Sequence, residues 1–96
     1  MSGSWTFFTN HAHVLFVISK DSDIRMRDVA DQVGITERAA QRIVAELEQA
    51  GYLTHERVGR RNRYKTNLSA PLRHRLEEHV TIGALMQVLE PTIVSE

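Results

Sequence analysis

The chain has 96 residues, enough for one small folded domain with a single core and too few for a catalytic domain joined to a regulatory one. Its apolar share of 42% and charged share of 25% exclude the disordered class, and the absence of cysteine excludes disulfides, thiolate chemistry and cysteine-ligated zinc. Twelve basic and twelve acidic residues cancel, but they are segregated: Arg57, Arg60, Arg61, Arg63, Lys65, Arg73 and Arg75 form a band without a carboxylate, and Glu77, Glu78, Glu90 and Glu96 follow without a Lys or Arg.

The first predicted element is a helix over residues 9–20, which Thr9 or Asn10 can cap. Val14, Leu15, Phe16, Val17 and Ile18 surround it with apolar side chains, so it is expected to be buried on two sides. Either a partner subunit covers the second side, joined by Trp5, Phe7 and Phe8, or these groups close the core of one chain. A short strand is expected near Ile24. Met26, Val29, Ala30 and Val33 then follow the helical period and predict a helix over 26–33, ended by Gly34 in the left-handed conformation. Thr36 is an N-cap for a third helix over 36–50, with Ala40, Ile43, Val44 and Leu47 on one side and Glu37, Arg38, Gln41 and Arg42 on the other.

After Gly51 the apolar period changes from 3.6 toward 2. Tyr52 to Val58 read as a strand and Arg63 to Thr66 as its antiparallel return, joined through Gly59-Arg60-Arg61-Asn62, so a hairpin occupies residues 52–67. Tyr64 is expected on its core side. Helices are expected over 69–90, the first capped by Ser69 with Pro71 in its first turn and Leu72 and Leu76 inward. The second is capped by Thr81, striped by Ile82, Leu85, Met86 and Leu89, and stopped by Pro91.

Two helices joined by Gly34-Ile35-Thr36 make a helix-turn-helix, with the small Ala30 allowing a close crossing, and a hairpin directly after such a pair is a wing. The expected fold is therefore mainly α with a small antiparallel hairpin, a winged helix-turn-helix filling one domain over 1–96. The segment "IRMRDVADQVGITERAAQRIVAELEQAGYLTHERVGRRNRYKTN" resembles the DNA-binding core of winged helix-turn-helix transcriptional regulators of the MarR and ArsR type, and most of all their short single-domain bacterial forms. The features that carry the resemblance are "DVADQVGIT", "AELEQAGYL" and "RVGRRNRY". The chain lacks the thiolate metal motif of the ArsR type and has shorter helical flanks than larger MarR-type proteins.

That resemblance implies a double-stranded DNA partner and action as a repressor, and the all-round apolar first helix with the striped "TIGALMQVL" segment of the C-terminal helices leads to the expectation of a homodimer on a palindromic operator. The chemistry of a duplex then assigns roles. Arg38 and Arg42 have the fork that bonds guanine O6 and N7, and Gln41 the amide that matches adenine N6 and N7, all from a helix lying in the major groove. Thr36 offers a phosphate a hydroxyl and a helix terminus, beside its structural role as a cap. Glu37 is read as support for the helix dipole. Arg60, Arg61 and Arg63 are assigned to the adjacent minor groove, and Arg25 and Arg27 to backbone phosphates.

Other classes are less well served. His11 and His13, and likewise His74 and His79, diverge around a helix, so neither pair chelates alone; a metal site would need assembly across a dimer with Glu77 or Glu78. No phosphate loop or nucleophile elbow is present, so no enzyme and no cofactor are expected. No apolar run reaches membrane-spanning length, and the start "SWTFF" lacks a basic flank, which suggests a cytoplasmic protein. The alternative function is a winged helix used as a protein-interaction module without DNA readout. An effector, if one exists, is expected in the dimer interface beside Trp5 and Phe8.

Overall fold

Apolar spacing and caps in the sequence mark most element ends in the structure, a computed structural model that describes residues 5–90. Among these residues lie the helices α1 (Asn10–Lys20), α2 (Met26–Val33), α3 (Glu37–Gln49) and α4 (Ile82–Leu89), with strands β1 (Leu53–Val58) and β2 (Arg61–Thr66) between α3 and α4. Thr36 Oγ1 accepts a hydrogen bond from the Ala39 amide at 3.0 Å, and Thr81 Oγ1 does the same for Ala84 at 3.2 Å, so both expected caps form. Thr9 occupies the cap position of α1, but neither it nor Asn10 closes the helix with a side-chain bond; Asn10 Oδ1 instead meets His13 Nδ1 at 3.1 Å.

Gly34 has φ 86°, a conformation that costs an L side chain energy and glycine almost nothing. Its amide and that of Ile35 both donate to the Ala30 carbonyl, at 2.8 and 3.0 Å. This pair of hydrogen bonds to one acceptor ends α2 and turns the chain directly into α3. The core forms where the helical faces converge: Val14, Leu15 and Ile18 of α1, Val29 and Ala30 of α2, and Ala40, Ile43, Val44 and Leu47 of α3 are buried together. Each fully buried Val, Leu or Ile contributes about 1.5–3 kcal/mol over its exposed state, so this cluster fixes the angle at which α3 leaves the body.

The hairpin is antiparallel, pairing Leu53 with Thr66, His55 with Tyr64 and Val58 with Arg61. Leu53 and Tyr64 face the core and are buried, as expected for Tyr64. The turn is shorter than the sequence suggested. Gly59 and Arg60 alone connect the strands, and Arg61 and Asn62 already belong to β2. Gly59 has φ 64° and no other residue type among those described has positive φ, which is the demand of a two-residue turn with its glycine first.

Two expected elements are absent. No strand forms near Ile24: the Ser22 carbonyl takes one ladder bond from Tyr64 N at 2.9 Å, but Ile24 N turns back to the Asp21 carbonyl at 3.1 Å, so pairing with β2 stops after one rung. Nor is there a helix between Ser69 and Val80. Ser69 Oγ donates to Asn67 Oδ1, Pro71 lies in an isolated bridge to Thr81, and the residues between are turns with Leu76 74% exposed. Leu72 N donates to Val80 O and Ile82 N to Ala70 O, which closes this excursion as a loop. Of the expected 69–90 helices only α4 is seen, and Pro91, its expected stop, lies outside the described residues.

The apolar circumference of α1 is packed largely within the chain, with Val14, Leu15 and Ile18 buried and Phe16 and Val17 partly buried. It packs on α2, α3, β2 and α4, and the α4 stripe lays Ile82 and Met86 into the core with Leu85 and Leu89 beside them. A contact between Lys20 and Glu90 ties the far ends of α1 and α4.

Candidate nucleic-acid interface

Because Ala40, Ile43, Val44 and Leu47 anchor α3, the residues on its other side are forced outward. At about 100° per residue, Arg38, Gln41, Arg42 and Ala45 cluster around the direction opposite that buried stripe, and all four are exposed. Ala45 was not among the expected site residues. It lies near the middle of the face, where its methyl group lets another surface approach closely between the longer side chains.

The side chains of this face differ in freedom. Arg38 has no ion pair among the described residues, whereas Arg42 Nη1 lies 3.6 Å from Glu46 Oε2, one turn further along α3. The other oxygen of Glu46 meets His11 Nε2 of α1 at 2.6 Å. The His11 hydrogen bond, aided by the charges of Arg42 and His11, outweighs desolvation and holds the Glu46 carboxyl below its ordinary value. All of these groups are substantially exposed, so the pairs orient Arg42 more than they stabilise the fold. The i, i+4 spacing of Arg42 and Glu46 is legible in the sequence; the contact across to α1 is not.

The wing arginines are likewise divided. Their strand, β2, runs beside the Ser22–Ile24 turn, and there Asp23 acts as a clamp. Arg61 Nη2 donates to the Asp23 carbonyl at 2.6 Å and Arg63 Nε to its carboxylate at 2.9 Å. That hydrogen bond, more than the accompanying charge attraction, raises the already high pKa of Arg63. Arg60, in the turn itself, has no such partner among the described residues. Asp23 is separated from these arginines by 38 and 40 positions, so no local pattern announced the clamp.

Arg25 and Arg27 stand at the beginning of α2, where Arg25 occupies the N-cap position. A groove of about 340 Å³ between this turn and the wing brings Arg25, Arg60 and Arg61 to one rim. Arg27 is exposed but does not line it. Thr36 stands at the start of α3 with its oxygen accepting from Ala39, which leaves the hydroxyl hydrogen free to donate outward. The expected residues thus fall into three groups: Thr36, Arg38, Gln41 and Arg42 on α3; Arg60, Arg61 and Arg63 on the wing; Arg25 and Arg27 beside the groove.

The histidines are dispersed. His11 meets Glu46, His13 meets Asn10, and His74 Nδ1 accepts from Leu76 N at 3.1 Å. Among the described residues no group of three or more His, Asp or Glu side chains is placed to hold a metal ion, and no helix is long and apolar enough to cross a membrane.

Residues 9–54 match the family model described as winged helix-turn-helix DNA-binding, a span running from the cap of α1 into β1. The fold is also that of IscR from T. potens, with a TM-score of 0.55 over 97% of this chain and 66% of that one. Sequence identity is 16%, so this likeness is one of fold, and the chain spans less than two thirds of its relative's length. No curated protein matches the sequence. The chain has a winged helix-turn-helix fold, and the part of it from residue 9 to residue 54 is similar to the DNA-binding family of that fold.

Proposed function

We propose that this chain is a sequence-specific, cytoplasmic transcriptional regulator of the short MarR- or ArsR-like type, a repressor that binds double-stranded DNA as a homodimer. The observation that carries the reading is the exposed α3 face of Arg38, Gln41, Arg42 and Ala45, standing opposite a fully packed stripe and next to an arginine-bearing wing. Structural need does not account for that face: none of its side chains supports the core. In the major groove Arg38 reads guanine, Gln41 adenine, and Ala45 meets a thymine methyl. Arg42 joins them by exchanging Glu46 for a base edge.

The wing supplies affinity and orientation. The Arg63–Asp23 pair is half exposed, so a phosphate oxygen displaces the carboxylate at small cost, while Arg60 enters the minor groove unencumbered. Arg25 and Arg27 lie at a helix N-terminus, where the dipole disfavours cations; phosphate contact gives these positions a use that helix stability does not. Thr36 donates its hydroxyl hydrogen to a phosphate without giving up its cap.

Support for the dimer comes from exposed apolar side chains: Trp5, Phe7 and Val88 are 71%, 90% and 78% exposed, and a second copy can bury them. Two-fold pairing presents two α3 helices to a palindrome, and occupancy alone then excludes other proteins from the operator.

Selection of bound sequences from a random duplex pool tests these statements together. The expected product is an inverted repeat with half-site centres on the order of 34 Å apart. Affinity for it should fall by roughly 10³ to 10⁵ between 50 and 200 mM salt if a dimer neutralises six to ten phosphates. An unenriched pool and a flat salt response would instead favour a protein-interaction module.

A further inference from the structure

Two basic side chains share the Glu46 carboxylate. Its Oε1 meets His11 Nε2 of α1 at 2.6 Å and its Oε2 faces Arg42 Nη1 at 3.6 Å, so one anion joins an imidazole outside the α2–α3 pair to an arginine of the exposed α3 face. At about 100° per residue, Glu46 stands on the flank of that face, one turn beyond Arg42. The His11 hydrogen bond, and with it Arg42, favours the anion of Glu46, so the carboxylate stays charged throughout the range in which histidines titrate. All three side chains are exposed enough to exchange partners, and His11 to exchange a proton, with water.

An Arg42 that turns to a base edge leaves Glu46 as a charge within one turn of the DNA-facing side chains, where phosphates repel it. An imidazolium at His11 restores the neutralisation that Arg42 withdrew. Among the described residues, the other charged or titratable groups beside His11 are Arg73, His74 and Glu77 of the loop before α4, while α4 itself brings Ile82 and Leu85 and the segment before α1 brings Phe7 and Phe8. On α1, His13 is engaged with Asn10. Arg73 and Glu77 are opposite in charge, and of all these neighbours only Glu46 is tied to a residue of the α3 face. We infer that His11 takes over Glu46 when Arg42 moves to DNA, and that duplex binding therefore takes up a proton at this imidazole. The inference rests on the reading of α3 as the DNA-facing helix. Its sign follows from linkage: the bound state holds more protons than the free one, so affinity rises as pH falls through the histidine range.

His11→Gln keeps a donor for Glu46 and removes the proton. Fluorescence anisotropy of a labelled duplex from the enriched pool, at constant salt and at about pH 8 and about pH 6, compares it with the wild type. The wild-type rise in affinity should exceed that of His11→Gln by about threefold, the scale of an exposed ion pair, and Arg42→Gln, with no arginine to hand over, should show only the smaller rise. Equal rises in wild type and His11→Gln overturn the proton uptake. The full rise in Arg42→Gln overturns the handover, because His11 would then act on DNA through its charge alone. Without DNA, Arg42→Gln imitates the departure of the arginine: His11 should keep its proton to higher pH in imidazole NMR, and an unmoved titration overturns the competition for Glu46. A chain that binds no duplex ends the DNA reading and the handover together, whereas duplex binding without these pH differences ends the handover alone.

Discussion

Arg60, Arg61 and Arg63 are equivalent in the sequence and unequal in space. Arg63 must leave the Asp23 carboxylate before it meets a phosphate, and Arg61 is already bonded to a backbone carbonyl, whereas Arg60 sits in the turn. Arg60→Ala should therefore reduce the slope of log affinity against log salt by about 0.9, one full phosphate contact, with a smaller change for Arg63→Ala. Equal slopes for the two variants would show that Asp23 exerts no hold in solution. Arg38→Ala should instead relax preference at one base position, with affinity for the remaining sequences largely kept. Glu46 offers a test that needs no DNA. Its carboxyl lies below the ordinary value chiefly because of His11, so whatever stability this contact lends is complete above the ordinary carboxylate range and fades as pH falls through the lowered value. His11→Ala should move the Glu46 titration upward in carboxyl-detected NMR, and an unmoved titration would assign the shift to Arg42.

Among the elements, the turn between α2 and α3 is the most constrained. The chain passes from α2 into α3 through Gly34, whose φ of 86° lies in a region that no other residue type enters among those described. A Cβ there meets nothing within 4 Å, so the cost of replacing it comes from the backbone alone. Gly34→Ala should lower stability by about 1 kcal/mol in urea titration with an unchanged denaturant slope. A much larger loss would mean that the turn is packed more tightly than its open surroundings indicate. The wing is held by more scattered means: one rung to Ser22, the Asp23 clamp, and the Tyr52 hydroxyl donating to the Pro71 carbonyl at 2.8 Å. Periodicity marked both hairpin strands, yet the turn between them came out two residues shorter than expected, because four polar or basic residues in a row carry no alternation to fix the register.

At the scale of the whole molecule, the exposed Trp5, Phe7 and Val88 lead to the expectation of a dimer in sedimentation at micromolar concentration, lost when Phe7 and Val88 are both replaced by Ser. A monomeric wild-type chain would leave a single recognition helix and wing to bind half a palindrome. Amphipathic spacing, two threonine caps and the Gly34 stop determined α2, α3 and α4, because each of those signals acts within a few residues of where it is written. The same local signals placed the exposed face of α3, since whatever lies opposite a buried stripe must be outside. They misjudged the stretch from Ser69 to Val80, where Ser and Pro satisfy the local rules of a helix start but the backbone bonds go to Ala70, Leu72 and Val80 in a closed loop. Only tertiary structure decided which arginines are paired and which elements pack on α1. Those outcomes depend on contacts such as Asp23 with Arg63 and His11 with Glu46, spanning 40 and 35 positions, and no pattern within a single element records them.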